Sequence, residues 1–339
     1  MLDKLLTAAP VTMSVSIMFF ILLAGIVITI GFKERFRRKK YLSAGISDLP
    51  VMGAELESLS PSLIAQFLDG RGESSRHLTA GLLSLVRKEH LLLKYDEEKT
   101  EYFFEDNLNN TTELPKDEKF LYDWFIYDIG DNRKFYPSDL QEYTANNENR
   151  EAFIHKYYEW EETNEIRLKE LGYFSSVPTR KIILGAMAGI FVVTGSILLF
   201  FLPFISILYL LGALISFWLM VVQRNITDVG WENYYRWEEY KKKLSEEPGK
   251  ELNDPVIFPV SALYAIAFGI KEEYIKHLTV REAAPSLRQG NFPLYFSTGT
   301  GGFILSKEGM DSVDDIEASM ENAIFPVGEA DNSYEGDTI

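Results

Sequence analysis

Two long stretches without a charged side chain constrain this chain more than any other feature. Residues 11–32, "VTMSVSIMFFILLAGIVITIGF", contain no Asp, Glu, Lys, Arg or His. A helix needs about 20 such residues to cross the hydrocarbon core of a bilayer. We therefore predict a transmembrane helix over 11–32. A cleaved signal peptide would have a shorter apolar core and a positively charged start, whereas this stretch follows "MLDK", whose side chains carry no net charge.

The second uncharged stretch, residues 182–222, predicts a transmembrane hairpin. As one helix, these 41 residues would be roughly 60 Å long, about twice the thickness of a bilayer core. Pro203 in "FFLPFI" is the natural break, which gives spans over 182–202 and 204–222. A hairpin buried inside a soluble protein is the alternative interpretation.

A basic cluster directly after the first span predicts the orientation of the protein. The segment "KERFRRKK" holds one acidic and six basic residues: Lys33, Arg35, Arg37, Arg38, Lys39 and Lys40. Positively charged segments next to a span stay in the cytoplasm. The same cluster predicts contact with anionic membrane lipid, although stop-transfer and orientation alone would explain it.

The other positive flanks agree with this orientation. Arg180 and Lys181 precede the hairpin, Arg224 follows it, and its turn carries no charge. We predict a multi-pass protein of the cell membrane. Its short N-terminus, residues 1–10, would lie outside, and its C-terminus would be cytoplasmic.

Small residues recur within the predicted hairpin. Gly185 and Gly189 form a GxxxG pair, and Gly212 and Ser216 have the same spacing. Such spacing lets helix backbones approach closely, so we predict helix packing within the chain, with self-association into a homo-oligomer as the alternative. No span contains Asp, Glu, Lys, Arg or His, which argues against a transporter or proton pump.

The segment after the basic cluster predicts a winged-helix-like α+β module. Residues 33–55 are predicted to be a basic juxtamembrane segment and linker. Ser60 and Pro61 then begin a helix, and a second helix follows Ser74. The strand patterns "HLLLKY" and "EYFF" form a hairpin around "DEEKT". Two helices followed by a hairpin define this module, residues 56–112.

Charge weighs against DNA binding by this module. Its recognition face would offer Arg76, His77, Arg87 and Lys88, but residues 55–113 carry 12 acidic and 6 basic residues. The chain as a whole has a net charge of −16, and phosphate binding depends on Lys and Arg contacts. Nucleic acid is therefore not the expected partner. A membrane-tethered DNA-binding regulator is kept as the alternative function.

The rest of the chain is predicted to be helical with an acidic end. Residues 113–176 form a further helical module, or a second winged helix. Residues 223–290 are helices that pack on this middle region. Their aromatic segment 231–244 fits packing or the head-group layer equally well. The apolar segment 256–270 is too short to span a bilayer. Residues 291–339 are predicted to be a flexible acidic tail.

No catalytic or cofactor-binding pattern stands out. The chain has no Cys, and its four His do not lie at metal-ligand spacing. The loop "STGTGGF" lacks the GK[ST] ending of a phosphate-binding loop. We therefore predict no catalytic residues, no metal and no cofactor, and a function other than enzymatic.

Three stretches together resemble one family. They are "LDGRGESSRHLTAGLLSLVRKEHLLL", "RNITDVGWENYYRWEEYKKKL" and "FPVSALYAIAFGI", and their order resembles the YciQ-like predicted membrane proteins of bacteria (domain of unknown function 2207) over roughly residues 11–290. Members usually carry a signal peptide and an extracytoplasmic β-rich domain before the first span, where this chain has about ten residues. The role of that domain would then be missing or supplied by another protein. The resemblance implies an architecture and no catalytic residues.

Together these patterns predict a mainly α membrane protein with three transmembrane helices, a cytoplasmic winged-helix-like α+β module and a further helical module. The expected function is that of a scaffold or regulator that binds a protein partner of unknown identity. Confinement to the membrane would raise the effective concentration of the module for that partner.

Overall fold

The computed structural model describes residues 2–43, 51, 53–72, 74–110, 112–176, 179–222, 224–246, 258–276 and 307–325. They belong to two compact units. The first unit comprises residues 1–47 and 172–235, and the second comprises residues 48–171 and 236–339.

The described elements are mainly helices. In chain order they are α1 (Leu2–Ser43), α2 (Gly53–Ser58), α3 (Pro61–Asp69), α4 (Ser75–Arg87), β1 (Leu91–Asp96), β2 (Glu101–Asp106), α5 (Lys116–Asp123) with a π-helical turn (Trp124–Ile129), β3 (Lys134–Phe135), α6 (Pro137–Thr144), α7 (Asn147–Glu170), α8 (Thr179–Leu199), α9 (Pro203–Val222), α10 (Asp228–Glu246), α11 (Phe258–Ala267), α12 (Lys271–Lys276) and α13 (Lys307–Ile324).

The first unit contains three helices that are long and apolar enough to cross a membrane. The apolar spans are Met13–Lys33, Thr179–Leu199 and Pro203–Val222. This confirms three candidate membrane helices, including a hairpin that breaks just before Pro203. Proline is tolerated in the first turn of a helix because its missing N–H would have no intrahelical partner there.

Helix α1 extends beyond its apolar span to Ser43. The basic cluster 33–40 is therefore helical, where the sequence suggested a juxtamembrane segment and linker. The side chains of Arg35, Arg37, Arg38 and Lys39 lie outside the described residues.

Hydroxyl groups and aromatic rings join the three apolar helices. The Ser206 hydroxyl donates to the Gly195 carbonyl oxygen at 2.7 Å, which links α9 to α8. The Tyr209 hydroxyl donates to the Ser16 carbonyl oxygen of α1 at 2.7 Å. Its ring lies 5.3 Å from that of Phe20. In a hydrocarbon layer an unpaired polar group is costly, so internal partners for both hydroxyls suit a membrane location.

The predicted small residues of the hairpin lie in different environments. A Cβ atom added at Gly212 would lie 2.9 Å from the Phe191 ring, and one at Gly185 would lie 3.1 Å from a methionine sulfur. At Gly189 nothing lies within 4 Å. Ser216 is buried and donates to the Gly212 carbonyl oxygen of its own helix at 2.8 Å. Among the predicted small residues of the hairpin, Gly212 therefore allows the closest approach, and at Gly189 none of the described atoms comes within contact distance.

A short bridge joins the segment before α8 to the segment after α9. Phe174 and Ile226 form an antiparallel β-bridge. The Thr227 hydroxyl accepts the Gly230 N–H at 2.9 Å, which caps the start of α10. A Cβ atom at Gly230 would lie 2.1 Å from the Tyr173 carbonyl oxygen. Only glycine fits this close approach.

The second unit is built around a helix pair and a three-stranded antiparallel sheet. The sheet order is β1-β2-β3, with Leu91 opposite Asp106 and Phe104 opposite Phe135. Strand β3 comes from the region predicted as a separate helical module. It pairs with β2, so residues on both sides of the boundary expected at 112–113 share one unit.

Aromatic residues of α10 and α11 belong to the core of the second unit. Trp237 is 1% exposed, and its ring stacks on that of Tyr264 at 5.1 Å. The Tyr240 ring meets Tyr264 edge-on at 6.0 Å. The Tyr264 hydroxyl donates to the Leu59 carbonyl oxygen at 3.1 Å. The aromatic segment 231–244 was expected either to pack in the protein or to lie at the head-group layer. Its residues Trp237 and Tyr240 are packed in the core of the second unit.

The structure corrects the expectation of a flexible tail over 291–339. Residues Lys307–Ile324 form α13, whose buried side chains are Val313, Ile316, Met320, Ala323 and Ile324. The ten acidic residues after position 307 suggested disorder, but the six that lie in α13 are spaced so that one face of the helix is apolar. The other parts of the predicted tail, 291–306 and 326–339, lie outside the described residues.

Candidate functional site

Helix α4, the candidate recognition helix, lies inside the second unit. It packs against α3, α5, β1, α11 and α13. His77 is 2% exposed, with its Nε2 atom 3.4 Å from a carboxylate oxygen of α3. Lys88 pairs with Glu118 at 2.5 Å, and burial lowers the pKa of Arg87. Arg76 faces a cleft beside α13. His77, Arg87 and Lys88 are therefore buried or half-buried within the unit, whereas Arg76 lines the cleft.

The surface next to α4 is a groove that α13 occupies. Helices α4, α6 and α7 form it, and α13 packs on all three. Local sequence determines where two of these helices, α6 and α7, begin. Pro137 begins α6, and the Asn146 side chain accepts the Glu148 N–H at 2.9 Å to cap α7. We call this surface the α13 groove.

Helix α13 enters the groove with one apolar face. Val313, Ile316, Met320 and Ala323 are each at most 2% exposed. Their spacing, i, i+3, i+7 and i+10, places them on one side of a helix. Amphipathic helices that bind in hydrophobic grooves use this pattern of anchors. The groove therefore has the character of a helix-binding site.

Lys271 of α12, at the rim of the groove, contacts the acidic side of α13. The Lys271 ammonium pairs with the carboxylate of Asp314 and lies 3.9 Å from that of Glu317. The Lys271 side chain is only 12% exposed, so solvent screens these contacts less than at an open surface. Burial raises the pKa of Glu317, and Lys271 and Arg76 oppose that rise. Lys271 thus lies next to the two acidic residues that follow the first two anchors of α13.

A cleft of about 310 Å³ lies beside α13. Its lining includes Arg76, Gly269, Lys271 and Glu321. Gly269 adopts a left-handed conformation, φ +67°, and a Cβ atom there would collide with the Arg76 guanidinium. Glycine is thus required both by the backbone and by the close approach of the arginine. The cleft lies between α13, α4 and the segment from α11 to α12, next to the α13 groove.

The groups around α13 are mainly apolar side chains, with a few charged side chains at the rim. Within the described ranges, no group of three or more His, Asp or Glu side chains is placed to hold a metal ion. The arrangement offers apolar anchors, one partly buried lysine and one arginine. These groups can bind and orient a helix.

Three apolar helices with a folded second unit define a membrane protein. A family model described as the C-terminal domain of a predicted membrane protein, DUF2207, matches residues 55–278. The chain belongs to this family of predicted membrane proteins. No curated protein and no solved structure matches the chain. Helix α13 lies outside the matched residues, whereas α4, α6, α7 and Lys271 lie within them.

Proposed function

We propose that this protein is a non-enzymatic scaffold or regulator that holds a protein-binding module at the cell membrane. The observation that carries the proposal is the α13 groove, in which an amphipathic helix is already seated. The helix pair and hairpin that support the groove are winged-helix-like. Winged helices serve protein contacts as well as DNA contacts, so the fold alone assigns neither.

Charge and burial favour protein contact over DNA binding. The turn between β1 and β2, which would be the wing, carries Asp96, Glu97 and Glu98. A wing that faces phosphates should be basic. Three of the four cations of α4, His77, Arg87 and Lys88, are buried or half-buried inside the unit, which makes this helix a poor surface for phosphates.

The membrane gives the module its location and raises its effective concentration for a partner at the same surface. Positive residues flanking the spans favour a cytoplasmic second unit. The basic cluster 33–40 adds attraction to anionic head groups, worth about 1 kcal/mol per residue near the surface. The partner is therefore proposed to be a cytoplasmic or membrane-associated protein.

Single introduced cysteines test this orientation, because the chain contains no Cys of its own. Phe201, in the turn between α8 and α9, is 76% exposed. Glu98, in the turn between β1 and β2, is exposed. A membrane-impermeant maleimide added to intact cells is expected to label Phe201→Cys. It should label Glu98→Cys only after the membrane is permeabilised.

The cysteine-free parent protein gives the background labelling. Both variants should be labelled equally in permeabilised cells, which controls for the reactivity of each site. Labelling of Glu98→Cys in intact cells would place the second unit outside and would rule out a cytoplasmic partner.

A further inference from the structure

We propose that α13 is an internal occupant of the α13 groove, and that an acidic amphipathic helix of a partner protein displaces it. The inference rests on the proposed function and specifies the partner's chemistry. With α13 seated the module is closed to the partner, and with α13 released it is open.

The boundaries of the family domain support a separable α13. The matched residues end at 278, and residues 277–306 separate α12 from α13. The groove therefore lies within the matched residues, and α13 lies outside them. An isolated helix of 18 residues is only marginally stable in water, so α13 depends on the groove for its order.

The contacts of α13 define the helix that the groove accepts. The segment "VDDIEASMENA" begins at Val313 and places anchors at its first, fourth, eighth and eleventh positions. Acidic residues that face Lys271 stand at its second and fifth positions, Asp314 and Glu317. A competing helix needs the same anchors, with acidic residues at those two positions. A basic helix would be repelled by Lys271 and Arg76.

The covalent connection of α13 to its own groove determines how easily another helix can displace α13. A helix joined to its own groove binds at an effective concentration of about millimolar. A free helix at micromolar concentration cannot compete unless α13 is weakened or the competitor binds more tightly. A second copy of the chain offers the same helix without a shorter tether, so exchange between copies gives no gain. The favoured occupant is therefore a different protein.

The test uses the full chain in detergent and a fluorescent peptide with the sequence of residues 307–325. The double variant Ile316→Asp/Met320→Asp places two charges on the buried face of α13 and is expected to release it. Binding is measured by fluorescence anisotropy. The double variant should bind the peptide on the order of tenfold or more tightly than the parent, because its internal competitor is lost.

Matched controls distinguish the release of α13 from a general change in surface charge. Phe325→Asp makes the same kind of change at a position that is 53% exposed, and should leave peptide binding as weak as in the parent. A peptide that carries the two aspartates itself should not bind. Adding Lys271→Glu to the double variant should weaken peptide binding, because it reverses the charge at the rim.

A second variant covers the case in which the double variant does not fold. Asp314→Lys changes a side chain that is 53% exposed and should also increase peptide binding, because it repels Lys271. Equal, weak binding by parent and variants that still unfold cooperatively would overturn the inference. A dimer with α13 of one copy cross-linked into the groove of another would overturn the assignment to a partner protein. If a partner protein binds the chain but the groove does not bind the peptide, the proposed function stands and this inference fails.

Discussion

Replacing Trp237 by alanine is expected to lower the free energy of unfolding of the second unit by about 3–5 kcal/mol. Trp237 is 1% exposed and is stacked on Tyr264, which is itself hydrogen-bonded to Leu59. Truncation removes apolar burial and leaves a cavity among large aromatic rings. Typical domains are stable by only about 5–15 kcal/mol, so this loss is a large part of the total.

Chemical denaturation in detergent, followed by circular dichroism, measures this effect without relying on tryptophan fluorescence. Tyr158→Ala is the control, since Tyr158 belongs to the same unit but is 51% exposed. A small change of about 0.5 kcal/mol is expected there. If the two variants lost equal stability, Trp237 would not be part of the core, and α10 would not contribute to the second unit.

Replacing Asp117 by asparagine is expected to stabilise the protein at pH 8, in contrast to most substitutions of buried residues. Asp117 is 4% exposed. Burial, together with the neighbouring charge of Glu118, raises the pKa of Asp117 from 3.8 to about 6. One of its carboxylate oxygens has no hydrogen-bond partner. Above that pKa the folded protein therefore carries a buried, poorly compensated charge.

The sign of the pH dependence follows from the raised pKa. The folded state holds the Asp117 proton more tightly than the unfolded state does, so its contribution to stability is present below about pH 4 and is lost as the pH rises to about 6. Asparagine removes that loss. The expected gain is on the order of 2–3 kcal/mol at pH 8, and it should shrink as the pH falls towards 4.

Melting temperatures of both proteins between pH 4 and pH 8 provide the measurement. Asp123→Asn is the matched control on the same helix, where the side chain is 44% exposed and paired with Lys119. It should lose at most about 0.5 kcal/mol. A destabilised Asp117→Asn protein at pH 8 would show that the carboxylate makes a favourable contact in the fold.

The membrane helices could be predicted from the sequence because their signal is long and uninterrupted. Runs of about 20 uncharged residues have few other stable solutions, and Pro203 marks the break. Helix packing was harder to predict. Spacing alone gave Gly189 and Gly212 the same role, yet among the described residues Gly212 has a close neighbour and Gly189 has none within 4 Å of an added Cβ atom. The contact depends on the rotation of each helix, which small-residue spacing does not determine.

Helix α13 was not predicted, because the acidic composition of this part of the chain was given more weight than its apolar spacing. A run of acidic residues without Lys or Arg is typical of disordered tails. The apolar spacing from Val313 to Ala323 is the pattern that indicates a helix here, but it covers only about three helical turns. The groove that orders this helix is built from residues distant in sequence. Tertiary packing, which supplies most helix stability in proteins, is not visible in a local pattern.

The burial of α4 has the same explanation. Its helical spacing could be predicted, but its neighbours α11 and α13 come from the far end of the chain. A surface that looks basic and open in the sequence is covered in the fold. The acidic balance of residues 55–113 is a separate argument from the sequence against a phosphate partner, which stays a prediction.

Photo-cross-linking from the cleft beside the α13 groove tests the central claim most directly. Glu272 is exposed and lines the cleft beside α13, so a photoreactive amino acid can replace it in the full chain. In permeabilised cells, the account predicts one adduct with another protein. The adduct should increase when Ile316→Asp/Met320→Asp releases α13, and should decrease when the peptide of residues 307–325 is added. Adducts that respond to neither change, or adducts within the chain alone, would contradict a protein-binding role for this groove.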